Sequence, residues 1–134
     1  MNVIRRDLRP LQNSNDVVLA RQRVRQWATE LQFSLVDLTK LVTAASELAR
    51  NALDHGHGGS MIMEAVADGG KTGLRLTFED RGPGIPDIEQ ALKDGYTTGA
   101  GMGLGLGGSK RLVNEFSIES EAGKGTKVTV IRWK

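Results

Sequence analysis

Cysteine is absent from all 134 residues, which excludes disulfides and thiolate metal sites. Aromatic residues reach only 4% and do not alternate with basic ones, so nothing suggests a platform for stacking nucleic-acid bases. Charge of one sign is scarce too. The 18 Lys and Arg against 16 Asp and Glu leave +2, with an isoelectric point near 9.2, too mild for nucleic-acid binding by bulk charge. No apolar run is long enough to span a membrane, and no secretory hydrophobic region stands out. These absences predict a soluble, cytoplasmic protein with no nucleic-acid and no membrane partner. Neither a G-x-x-x-x-G-K phosphate loop followed by Ser or Thr, nor the glycine-rich loop and H-R-D set of eukaryotic-type kinases, occurs. No repeat or linker divides the chain, and 14.5 kDa suits one domain over residues 1–134 whose core needs no staple.

What the chain has in quantity is glycine, 17 residues in all. The run from Gly99 to Gly107 places one at every second position, so successive backbone N–H groups can converge on an anion with no Cβ in the way. Ser109 to Asn114 continue with Leu112 and Val113 behind Leu106, as if the glycines open a helix whose positive end adds to an anion site. A flexible surface loop is the alternative reading of this stretch on its own.

In chain order, residues 1–9, with Val3 and Ile4 and then Arg5, Arg6, Asp7 and Arg9, suit a short edge strand before Pro10. Ser14 or Asn15 then caps a helix to about Gln32, with Val17, Ala20, Val24, Trp27, Ala28 and Leu31 on its apolar face. Arg21 and Arg25, with Arg23 nearby, form a basic face, either solvated or a dock for an acidic partner. Ser34 to Asp37 have the form of a capping box and start a second helix. Leu38, Leu41, Val42, Ala45, Leu48, Ala49 and Ala52 mark its buried side, and Gly56, Gly58 and Gly59 stop it. Met61 to Ala67 and Leu74 to Phe78 read as a hairpin around Gly69-Gly70, followed by a loop with a helical turn or two between Asp87 and Lys93. After the glycine run and its helix, Phe116 to Glu119 and Val128 to Arg132 read as two last strands around Gly123-Lys124-Gly125. The expected fold is an α+β two-layer sandwich, a mixed, mostly antiparallel sheet with about three helices on one face.

Three pieces of this chain carry chemistry. Glu47 and Asn51 stand four apart on the second helix, about 40° apart around its axis, so both leave one face. A carboxylate there can take a proton from a hydroxyl, and an amide oxygen is a neutral hard ligand suited to Mg²⁺. Asp54 follows Asn51 by three, while an exposed Glu47–Arg50 pair is the plain alternative for the same residues. Asp80 ends a strand before Gly82 and Gly84, where its carboxylate can accept from an exocyclic amine and the glycines admit a flat ring. Thr126, after Gly125, sits beside Asp80 if their strands are neighbours. His55 and His57 invite a metal or phosphohistidine idea, against which a helix C-terminal position accounts for His55 more simply.

Glu47…Asn51, Asp80-x-Gly82-x-Gly84, Gly101-x-Gly103-x-Gly105-x-Gly107 and Gly125-Thr126, in this order and spacing, resemble the N, G1, G2 and G3 boxes of the GHKL (Bergerat-fold) ATPase and kinase superfamily. Ser46 to Asn51, Glu79 to Ile88, Asp94 to Gly99 and Lys110 to Ser117 are similar to the RsbT-type switch kinases of bacterial stress signalling, in the anti-sigma regulatory factor family. The resemblance implies a Bergerat-fold, Mg²⁺- and ATP-dependent serine/threonine kinase. It would phosphorylate STAS-domain stressosome proteins and, when released, activate a PP2C-type phosphatase. It further implies Glu47 as base, Asn51 as Mg²⁺ ligand, Asp80 as adenine reader supported by Thr126, and Gly82 and Gly84 beside the ring. Gly101, Met102, Gly103, Leu104, Gly105, Leu106 and Gly107 would hold the phosphates, with Asp54 nearby. Lys110 is the nearest candidate for a cationic phosphate contact, or else faces solvent or a partner. The alternative within the resemblance is an anti-sigma-like switch in which sequestration of a partner is the essential act. The missing upstream phosphoacceptor-His hairpin and downstream transducer domain argue against a sensor histidine kinase and a gyrase-like clamp.

Overall fold

Alternation in one segment sets the middle of the molecule. Strand β3 (Lys71–Asp80) sends Leu74, Leu76 and Phe78, all 3% exposed or less, to one side and Gly73, Arg75, Thr77 and Glu79 to the other, as a period of two requires. The computed structural model describes residues 1–85, 87–93 and 105–134. Within them β1 (Asn2–Leu11), β2 (Gly59–Asp68), β3, β4 (Glu115–Glu121) and β5 (Gly125–Trp133) form one sheet in the order β1-β2-β3-β5-β4. Every pairing is antiparallel, so the mixed sheet expected from the sequence is corrected to a uniformly antiparallel one. β5 lies between β3 and β4, which therefore run parallel to each other. A crossover connection must therefore join them.

Four helices are described instead of about three: α1 (Ser14–Glu30), α2 (Leu35–Asp54), the single turn α3 (Ile88–Ala91) and α4 (Gly105–Arg111). Asn13, not Ser14 or Asn15, caps α1, its side chain accepting from the Asp16 N–H at 2.9 Å. Ser34 caps α2 and accepts from the Asp37 N–H at 3.1 Å. β1 runs on through Pro10, whose missing N–H is tolerated in an edge strand. Helix α2 ends where His57 and Gly58 take positive φ, 60° and 98°, so a histidine shares the stop with the glycines. The end of α4 comes at Arg111, before Leu112 and Val113, which leave the helix with only partial burial.

The core lies between the sheet and the helices. Met61, Met63, Leu74, Leu76 and Val130 from the strands meet Val24, Trp27, Leu41 and Leu48 from α1 and α2, all at most 2% exposed. All the apolar residues expected on the buried face of α2 are buried. Polar contacts pin the edges: Arg5 bonds Glu30 at 2.6 Å, and Arg23 turns towards Asp7 of β1 at 3.7 Å, so it does not share the outer face of Arg21 and Arg25. No described helix is long and apolar enough to cross a membrane.

Candidate nucleotide site

The register of β3 against β5 pairs Asp80 with Thr126 and, one inward-facing rung along, Phe78 with Val128. A polar rung thus stands beside an apolar one, the arrangement that suits a flat heterocycle with a hydrogen-bonding edge. Above the sheet, α2 brings Glu47, Asn51 and Asp54 to the same opening. A cavity of about 730 Å³ joins the two sides, lined by Glu47, Leu48, Asn51, Asp54, Phe78, Asp80, Gly84, Thr126 and Val128, and by Gly105 and Leu106 where α4 starts.

Asp80 is held in place. Its Oδ1 accepts the Gly82 N–H at 3.0 Å, and Gly82 itself is buried beneath the site, outside the cavity lining. Gly84, at φ +81°, takes a conformation and a packing position closed to other residues, since a Cβ there would strike the Glu121 carbonyl. The loop after β3 is strapped to the β4–β5 hairpin by Gly123 N–H to Pro83 O at 2.8 Å and Ile85 N–H to Ser120 Oγ at 2.7 Å. Ser120 also bonds the Gly125 carbonyl at 3.1 Å and Thr126 Oγ1 at 2.9 Å. Nothing local in the sequence marks Ser120; only the β4–β5 register places it opposite Thr126.

Arg50 does not pair with Glu47. It reaches Asp54 at 3.9 Å and the Ser14 hydroxyl at 3.2 Å, so the plain reading of Glu47 as half of an exposed pair gives way. Gly107 is buried against the Leu92 carbonyl, joining α4 to the end of α3. Lys110 is exposed and does not line the cavity. Gly101, Met102, Gly103 and Leu104 lie outside the described residues. Arg21 lines the cavity mouth; Arg25 does not. His55 is also part of the lining. Among the described residues no group of three or more His, Cys, Asp or Glu could hold a metal ion. The Asn51 amide beside the Glu47 and Asp54 carboxylates fits a Mg²⁺ that keeps waters and takes its other ligands from nucleotide phosphates, and does not fit a metal caged by protein alone.

The family described as histidine kinase-, DNA gyrase B-, and HSP90-like ATPases matches residues 36–134. The chain is 50% identical over 118 residues to the serine/threonine-protein kinase RsbT of Bacillus subtilis, covering 88% of this chain and 89% of that one. It is 32% identical to the anti-sigma F factor of Geobacillus kaustophilus, over 86% of this chain and 82% of the relative. Among solved structures, the RsbU and RsbW domains of Rv1364c from Mycobacterium tuberculosis superpose with a TM-score of 0.66 at 25% identity, over 96% of this chain and 31% of that one. The chain belongs to the family of histidine kinase-, DNA gyrase B- and HSP90-like ATPases.

Proposed function

We propose that this protein is a Mg²⁺- and ATP-dependent protein serine/threonine kinase of a partner switch. It transfers phosphate to a STAS-domain protein and, when released, activates a PP2C-type phosphatase in the cytoplasm. The observation that carries the reading is the convergence of Glu47 and Asn51 from α2 with the Asp80–Thr126 rung of the sheet on one cavity. The RsbT relative, named a serine/threonine-protein kinase, supports it.

In this reading Phe78 and Val128 form the apolar floor for adenine, and Asp80 accepts its 6-amino group. Asn51 offers its amide oxygen to Mg²⁺, and a Glu47 carboxylate oxygen takes the proton of the acceptor hydroxyl. Bound Mg²⁺ supplies charge neutralisation at the phosphates. The cavity walls from α2 and α4 exclude water from that charge, which strengthens each electrostatic contact inside.

The test is transfer from γ-labelled ATP to a purified STAS-domain partner. Label should pass to a serine or threonine of the partner. Asn51→Ala should lower transfer by at least about 100-fold, the scale of losing one electrostatic contact to the reacting group, with an unchanged melting curve. Wild-type protein that binds ATP yet transfers nothing would remove the kinase reading. Unchanged transfer by Asn51→Ala would remove the metal assignment. Similarity to anti-sigma F factors keeps a second reading in view, in which binding a partner is the essential act. Loss of the downstream response in Asn51→Ala with partner capture intact favours catalysis; a preserved response favours sequestration.

A further inference from the structure

Gly56 is read from the sequence only as part of a helix stop, yet its backbone is packed against the Asp80 side chain. It is buried, lines the cavity, and lies directly against Asp80. A Cβ built at residue 56 would collide with the Asp80 carboxyl carbon and Cβ, and would lie 2.5 Å from Oδ2. The other side offers no retreat. A Cβ on Gly82 would stand 2.6 Å from the Gly56 Cα, so those two backbones are already in contact, and the Gly56 N–H is tied to the Asn51 carbonyl at 3.2 Å. Gly82 in turn donates to Asp80 Oδ1. Asp80 is thus gripped between two glycines: Gly82 holds one carboxylate oxygen, and Gly56 leaves space for the other.

We infer that Gly56 is a positioning residue for adenine selection: the absence of a side chain at 56 lets the Asp80 carboxylate stand where it can accept the 6-amino group. This rests on the reading of Asp80 as the adenine contact. The same residue ties α2 to the nucleotide edge, because Gly56 follows within five residues of Asn51 and bonds its carbonyl. The metal-facing end of α2 and the base-reading end of β3 are therefore set by one close backbone packing. A side chain at 56 displaces the Asp80 side chain, whereas the apolar floor of Phe78 and Val128 lies one inward-facing rung away.

The experiment compares binding of ATP with binding of purine riboside triphosphate, which lacks only the 6-amino group, to wild-type protein, Gly56→Ala and Asp80→Ala. Wild type should prefer ATP. Gly56→Ala should bind ATP about 10- to 100-fold more weakly, the loss expected for one hydrogen bond to a charged acceptor, while binding the amine-free analogue as wild type does. A structural defect would weaken both nucleotides alike, and that result, or undiminished ATP preference in Gly56→Ala, overturns the inference. Asp80→Ala separates the role of Gly56 from that of Asp80. Loss of preference in Asp80→Ala with preference kept in Gly56→Ala leaves Asp80 as the reader and removes Gly56; preference kept in Asp80→Ala removes the adenine reading itself. Should Gly56→Ala fail to fold, the double variant Gly56→Ala with Asp80→Gly, which removes the colliding side chain, should fold and bind both nucleotides equally. Failure of the double variant to fold would place the conflict elsewhere and overturn the inference.

Discussion

Ser120 shows how one hydroxyl can organise a site it does not line. It accepts the Ile85 N–H, bonds the Gly125 carbonyl and meets Thr126 Oγ1, all within 3.1 Å. Ser120→Ala leaves the Ile85 N–H without that acceptor, and a half-buried donor stripped of its partner costs about 1–3 kcal/mol. The urea midpoint should fall accordingly, and ATP should bind more weakly because the loop bearing Gly84 loses a strap. An unchanged midpoint would show that water replaces the hydroxyl without loss. Glu47 and Asn51 are a contrasting case. Helical periodicity alone puts them on one face, and puts Arg50 within reach of Asp54 four residues on, whereas the bond from Arg50 to the Ser14 hydroxyl emerges only when α1 packs beside α2.

Elements differ in how much they reveal about themselves. Helix α2 is legible almost entirely from its sequence. Ser34 supplies the cap, and the apolar residues from Leu38 to Ala52 all turn inward because their spacing matches the helix repeat. Removing that cap by Ser34→Ala should destabilise the protein by about 1 kcal/mol, read as a lower urea midpoint with an unchanged slope. A larger loss would mean that the cap also supports Asp37 and its partner Arg132. The caps of α1 and the length of α4 were less legible. Asn13, Ser14 and Asn15 are all good capping types, and only the path of the chain out of β1 selects Asn13. The helix begun by the glycines stops at Arg111 because Asn114 must deliver its N–H to the Ile131 carbonyl, at 2.9 Å, to begin the β4 pairing.

At the scale of the whole molecule, ion pairs join the helices to the sheet. Asp37 at the start of α2 meets Arg132 of β5 at 2.5 Å, and this hydrogen bond is the main reason its carboxyl is held below the ordinary range. Arg132 also donates to the Leu112 carbonyl at 3.1 Å, tying the exit of α4 to the same point. Glu30 of α1 is likewise lowered, chiefly by its bond to Arg5 of β1. A carboxyl depressed in the folded state stabilises above its unfolded pKa, about 4, and loses that contribution as pH falls through the lower folded value. The stability gap between wild type and Asp37→Asn should therefore be constant above about pH 5 and close as pH drops below about 4, in urea titrations at several pH values. Because Asp37 keeps 29% of its side chain exposed, added salt should narrow the gap at neutral pH. A gap independent of pH would show that Asp37 contributes through its helix cap alone.

By itself the sequence determined the alternation of the strands, the buried side of α2, the shared helix face of Glu47 and Asn51, and the order of boxes that places the chain in its family. These are local or periodic properties, set by spacings of two, three and four residues. Tertiary structure alone decided which strands are neighbours, and with that the Asp80–Thr126 rung, the Phe78–Val128 floor and the role of Ser120. It also turned Gly56 from a helix stop into a contact of Asp80. Register across strands and backbone approach between distant segments depend on how the layers pack, and no spacing within one stretch encodes them.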